Sequence, residues 1–174
     1  MSRTLALDFF NLAGEYLKAL KILDKVYKEK VPDFSQIKTL NDYKKIKEHP
    51  GYPLLFDMLN VKLFLSRHSL ELILKSFLLH KGVGISDFKK LYHHNIEACY
   101  RDAKRMGLGV FKDIEELKVN AFIGELNKHC FDKIYEYPNK LMKAYFHEYI
   151  KIIDDIFDYV RKEVSSKKIG EKNS

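Results

Sequence analysis

Between residues 54 and 81 the chain reads LLFDMLNVKLFLSRHSLELILKSFLLHK, apolar around almost the whole circumference of a helix. Such a helix has to be enclosed by others, which places it at the centre of the fold, and Gly82 and Gly84 supply its stop. Upstream, residues 4–30 set Phe9, Leu12, Ala13, Tyr16, Leu20, Leu23 and Tyr27 on one face with lysines and acids opposite, an amphipathic helix ending near Val31-Pro32. Downstream, Asn95 caps a helix whose inner face is Ile96, Cys99, Tyr100, Ala103 and Met106, ended by Gly107 and Gly109. Asp113 with Glu116 three residues later marks a start for residues 113–131, with Ile114, Leu117, Ala121, Phe122 and Leu126 apolar. Pro138 suits the first position of a last helix, 138 to about 164, burying Leu141, Tyr145, Tyr149, Ile152, Ile156 and Val160. The stretch 31–53 is a polar connection broken by Pro32, Pro50, Gly51 and Pro53, with one short helix expected at LNDYKKIKE.

No segment alternates with a period of two between hairpin turns, so the expected fold class is all-α, an up-and-down bundle of about five helices. A single domain over 1–164 with a frayed tail at 165–174 accommodates every periodic segment. The composition, 46% hydrophobic and 32% charged, is that of a globular chain and excludes a disordered one. No uninterrupted apolar run of about 18 residues is present, which excludes a spanning helix. Asp8 inside the first apolar stretch, with no small-residue cleavage site after it, argues against a signal peptide. Cys99 and Cys130 stand in no CxxC or other ligand spacing, so no disulfide scaffold is expected and a cytoplasmic location is. The net charge of +7 permits attraction to phosphates. Most of the excess is lysine beside acids at helical spacing, as in KALKILDKVYKEK, the pattern of a solvated face.

Against this background the central helix carries Arg67, His68, Glu71 and Lys75 in steps that draw one polar stripe along an apolar rod. A lone buried charge is costly, so these groups must pair, reach water or face a partner that satisfies them. Glu71 precedes Lys75 by four residues, the favourable order for an ion pair, and donors near His94 and Asn95 at the next helix start can share the carboxylate. A partly buried pair fixing helix register is the preferred reading of this cluster over a ligand site. Glycine loops for phosphate and GxSxG nucleophile elbows are missing. His93, His94, Cys99, His129 and Cys130 are metal-capable but form no recognised ligand spacing, so neither a metal nor a cofactor is expected.

The order Glu71-x-x-x-Lys75, Gly82, His94-Asn95-Ile96 and Glu136-Tyr137-Pro138 resembles the HEPN domain family, all-helical domains with a proposed nucleotide-binding role. Family members show E-x-x-x-K on a hydrophobic helix, a glycine, H-[DN]-[LI] and, in one large branch, R-Y-P; Glu136 here departs from the last motif. The resemblance runs from about 54 to 160 and leaves the 31–53 connection unmatched. It implies a HEPN-like bundle, a homodimer, and association with nucleotide or RNA, with a nucleotidyltransferase or an antitoxin as the kind of protein partner.

Where such domains are catalytic, the resemblance implies metal-independent RNA cleavage by R-x(4-6)-H, often continued as H-x-Y, on a late helix. Lys140-LMKAYF-His147-Glu-Tyr149 keeps the histidine and tyrosine and puts lysine in place of arginine. Lysine retains the charge but lacks the planar fork that grips a phosphate through two parallel bonds. The expected function is therefore a nucleotide- or RNA-associated binding module without efficient catalysis. The alternatives are a degenerate ribonuclease of toxin–antitoxin or phage-defence type using His147, Lys140 and Tyr149, and a purely structural protein-interaction module.

Overall fold

A computed structural model of the chain describes residues 2–30, 52–109, 116–131 and 140–166, with single positions between 39 and 50; side chains at 2–3, 52–57, 59–60, 89, 128–131, 140–148 and 166 lie outside that description. Among the described residues there is no strand. Among the described residues five long helices follow one another: α1 (Ser2–Lys30), α2 (Tyr52–His80), α3 (Ile96–Arg105), α4 (Glu116–Phe131) and α5 (Lys140–Ser166). A single helical turn, Ile85–Asp87, and a π turn, Phe88–Tyr92, lead from α2 into α3. The protein is an all-α helical bundle.

Helix α2 is its axis. Leu70, Ile73, Leu74, Phe77 and Leu78 are fully buried, and so are Ser66, Ser69 and Ser76 of the same helix. A buried hydroxyl needs a partner. Ser69 donates to the Ala13 carbonyl at 3.1 Å and Ser76 to the Ala6 carbonyl at 2.7 Å, so α1 runs antiparallel to α2. Each pair is spaced by two helical turns, and the small side chains of Ala6 and Ala13 let the two backbones come this close. Helix α5 packs against both: Phe157 stacks on Phe10 of α1 with ring centroids 4.4 Å apart, and Tyr159 meets Phe77 of α2 at 6.3 Å. Tyr149 of α5 stacks on Phe122 of α4 at 4.3 Å.

Helix identities follow the apolar periodicity, but two inner faces are rotated from the expected ones. On α1 the buried stripe is Ala6, Ala13, Leu17, Leu20 and Asp24, whereas Leu12 is exposed. The apolar arc of α1 is wider than one face, and α2 takes the edge that carries alanine because only that edge allows close approach. On α4 Val119, Phe122, Ile123 and Leu126 are buried, whereas Leu117 and Ala121 are exposed. Met106, expected inside, is likewise exposed, since the helix has already ended at Arg105 and turned away. The expected short helix at LNDYKKIKE, the start at Asp113, Pro138 and the tail beyond Ser166 fall wholly or largely outside the described residues.

Both glycine stops have the same geometry. Gly82 (φ 97°) and Gly107 (φ 93°) hold the left-handed conformation that a side chain would strain. Val83 N–H then reaches the Leu78 carbonyl at 3.0 Å and Leu108 N–H the Ala103 carbonyl at 2.9 Å, the six-to-one bond of a Schellman ending. Gly84 and Gly109 do other work. Gly84 precedes the next helical turn, and a Cβ on Gly109 would lie 2.5 Å from the Tyr159 ring.

Asn95 caps α3: its Oδ1 accepts from Ala98 N–H at 2.9 Å, while Asn127 of α4 accepts from Ile96 N–H at 3.0 Å. Asn95→Ala is expected to cost about 1 kcal/mol. Asn95→Asp should keep most of that stability, and equal urea midpoints for the alanine variant and the parent would show that the cap contributes nothing.

Candidate functional site

The polar stripe of α2 meets the turn that precedes α3. The π turn closes with His93 N–H donating to the Phe88 carbonyl at 3.0 Å, and His93 itself takes φ 42°, the one non-glycine residue with positive φ among the described residues. That conformation costs on the order of 1–3 kcal/mol in a residue with a side chain. It presents two consecutive carbonyls to cations of α2: Lys75 Nζ donates to His93 O and Arg67 Nη2 to His94 O, each at 3.2 Å. Charge-assisted bonds of this kind offset the strain.

At the centre lies the Glu71 carboxylate, only 5% exposed. Its Oε1 accepts from Lys75 Nζ at 2.5 Å and lies 3.1 Å from His94 Nδ1, and its Oε2 is 3.6 Å from Arg67 Nη2. Burial by itself pushes the Glu71 carboxyl up, but the bonds from Lys75 and His94 and the charges of Lys75 and Arg67 outweigh it and hold the group below the ordinary carboxylate range. Glu71 is therefore ionised at neutral pH, with Oε1 held by two partners and Oε2 facing the Arg67 guanidinium. That suits a latch between α2 and the α3 turn better than an acid or base that exchanges protons with a substrate.

Arg67, Glu71, Lys75, His94 and Asn95 thus lie together or within one residue of each other, as the spacing leads one to expect. His68 does not join them. Its Nδ1 lies 3.0 Å from the Phe64 carbonyl and its ring packs on Phe64 and Tyr16, with centroids 4.0 and 5.7 Å away. One residue along a helix is a rotation of about 100°, enough to move it from the stripe onto an aromatic cluster.

Lys140 and His147 lie in the first turns of α5, but their side chains are outside the described residues. Tyr149 is buried in the core against Phe122. Among the described residues no group of three histidine, cysteine or acidic side chains could hold a metal ion. Cys99 is buried, and burial pushes its thiol up to about 12, so it stays protonated and unreactive.

Sequence reasoning missed a second buried charge cluster. Lys62 of α2, 1% exposed, donates to Asp24 Oδ1 of α1 at 2.6 Å and sits 4.1 Å above the Tyr27 ring, while Lys28 approaches Asp24 Oδ2 at 2.9 Å. Burial pulls the Lys62 ammonium below its ordinary value despite the bond to Asp24, and pushes the Tyr27 hydroxyl up to about 12. The available signal was Asp24 standing four residues after Leu20 on the stripe that faces α2.

A surface cleft of about 480 Å³ lies beyond the end of α2, between Lys81, Val83, Leu91, Tyr92, Asp102 and Arg105. Tyr92 donates to Asp102 there at 3.0 Å, and no side chain of the Glu71 cluster lines it. Among the described residues no helix is long and apolar enough to cross a membrane. No family model, curated protein or solved structure matches the chain.

Proposed function

We propose that the chain is a HEPN-like module that associates with nucleotide or RNA through phosphate contacts and does not catalyse efficiently. The observation that carries this reading is the convergence of Glu71-x-x-x-Lys75 and His94-Asn95-Ile96. Two stretches about twenty residues apart in sequence meet at one carboxylate, with Glu71 Oε1 between Lys75 Nζ and His94 Nδ1. These are two of the four motifs whose order carries the resemblance, and their contact is what supports the reading. The pairing of Glu71 with Lys75, His94 and Arg67 speaks for a scaffold role at this point, and the excess of seven positive charges supplies the attraction to phosphate. Lysine at position 140 instead of arginine speaks against efficient cleavage.

The test is a fluorescence-anisotropy titration of the protein with labelled single-stranded RNA and with a labelled nucleoside triphosphate, free of divalent metal. Binding to RNA through about four phosphates should weaken roughly 50-fold as salt rises from about 50 to about 200 mM. Absence of binding at the lower salt would sink the reading. RNA cleavage that disappears in His147→Ala would instead assign the chain to the ribonucleases, and a denaturing gel of the labelled RNA after the titration reports it.

A further inference from the structure

The cluster around Glu71 is short of negative charge. Arg67 and Lys75 bring two positive charges to one carboxylate, and neither makes a further ion pair among the described residues. Their remaining acceptors are the His93 and His94 carbonyls, which offer dipoles and no charge. One positive charge is therefore left over where the Arg67 and Lys75 side chains are only 13% and 14% exposed. A charge held that far out of water requires a counter-ion.

Hydrogen bonding puts the surplus on Arg67. Lys75 Nζ is held between the Glu71 carboxylate and His93 O, whereas Arg67 comes no nearer than 3.6 Å to Glu71 Oε2. The Arg67 Nε–H is buried and has no hydrogen-bond partner among the described residues. A guanidinium carries only donors, so this N–H is satisfied by an acceptor that the cluster itself does not supply. A water would satisfy the donor and leave the charge, whereas an anion answers both. The way in is beside His94, whose carbonyl Arg67 bonds and whose side chain is 68% exposed. Seating an anion there turns the guanidinium against a 3.2 Å hydrogen bond and a 3.6 Å contact, neither of them short.

We infer that Arg67 is a phosphate-binding residue, whose guanidinium takes a phosphate group of a nucleotide or RNA and whose charge that phosphate balances. The planar guanidinium suits phosphate oxygens through parallel N–H bonds, which a lysine does not reproduce. Glu71 touches no ligand here and acts as a positioning residue, holding α2 to the turn that carries His94. The inference deepens the nucleotide- or RNA-binding reading and rests on it for the source of the phosphate. The seat itself rests on the charge count and the orphaned Nε–H.

Nuclear magnetic resonance of the full, isotope-labelled chain tests it by following the Arg67 Nε–H signal, assigned by its absence in Arg67→Lys. Inorganic phosphate should shift that signal to saturation, while sodium chloride at equal ionic strength leaves it in place. Adenosine monophosphate should act as phosphate does, and adenosine should not. Arg67→Lys keeps the charge and loses the Nε–H, so it should bind labelled RNA at least about tenfold more weakly with unchanged helical circular dichroism. If that variant does not fold, the signal of the parent decides alone. An Nε–H signal that phosphate does not move, or that adenosine moves equally, would overturn the assignment of Arg67. RNA binding with that signal unmoved overturns the seat and keeps the wider reading. A shift with inorganic phosphate, without binding of RNA or nucleoside triphosphate, supports the seat and removes the reading.

Discussion

Asp24→Ala is expected to destabilise the protein by about 3–5 kcal/mol, the cost of leaving a buried charge without its counter-ion. At this chain length that corresponds to a fall in Tm on the order of 10 °C. The reason is Lys62, 1% exposed, whose ammonium would lose the carboxylate 2.6 Å away. The loss carries a pH signature. Burial already lowers the Lys62 pKa, and removing Asp24 lowers it further, so the folded variant gives up the Lys62 proton at a lower pH than the unfolded chain, which titrates near 10.5. Between those two values the unfolded state binds more protons, and stability rises with pH. The deficit of Asp24→Ala against the parent should therefore shrink as pH is raised from 7 toward 10.5. Replacing both partners with apolar residues of similar volume, Asp24→Leu with Lys62→Met, should recover most of the loss, because neither charge then has to be desolvated. Urea unfolding at two pH values checks all three statements. A deficit below about 1 kcal/mol would mean that Lys62 reaches water when its partner is removed.

That pair also shows where reading the chain falls short. The helices themselves were legible because each is an apolar period, and α2 and α3 are also bounded by a capping residue or a glycine in a conformation only glycine takes easily, as at Asn95, Gly82 and Gly107. Periodicity gives an arc and not a contact. On α1 the arc from Phe9 to Tyr27 is wide enough to serve two faces, and the choice between them depends on Ala6 and Ala13 fitting beneath Ser76 and Ser69, a property of two helices together. Once that choice is made, Asp24 points inward and Lys62 has to meet it. Neither residue looks buried by its own chemistry, so the pair could be found only with the α1–α2 register in hand.

The Glu71 cluster was more legible because most of its logic is local. Glu71 and Lys75 are neighbours by helical geometry wherever α2 lies. Their meeting with His93 and His94 depends on the π turn at Phe88–Tyr92, which no residue pattern announces and which adds the residue that swings two carbonyls toward α2. His68 was placed wrongly for the converse reason. A three-residue step to Glu71 puts His68 on the far edge of the stripe from Arg67, and the aromatic partners Tyr16 and Phe64 claim it there.

Glu71→Gln should cost about 3 kcal/mol at neutral pH, since it keeps the shape and an acceptor but leaves Arg67 and Lys75 facing one another without the charge between them. Here the pH dependence has the opposite sign. The folded pKa of Glu71 lies below its ordinary value of 4.5, so the unfolded chain takes up protons first on acidification. The stability contributed by the ionised carboxylate is fully present above about pH 4.5 and is lost as pH falls through the folded value. The deficit of the glutamine variant should thus be largest near pH 7 and narrow below pH 4.5 as the parent becomes protonated at the same atom. Urea denaturation of both proteins near pH 7 and near pH 3 separates this from a packing defect, which would cost the same at either pH. A deficit independent of pH would show that the Glu71 charge does not hold α2 to the α3 turn. A deficit at neutral pH with RNA affinity unchanged would place the cluster in the scaffold alone, and binding would then have to lie elsewhere on the basic surface.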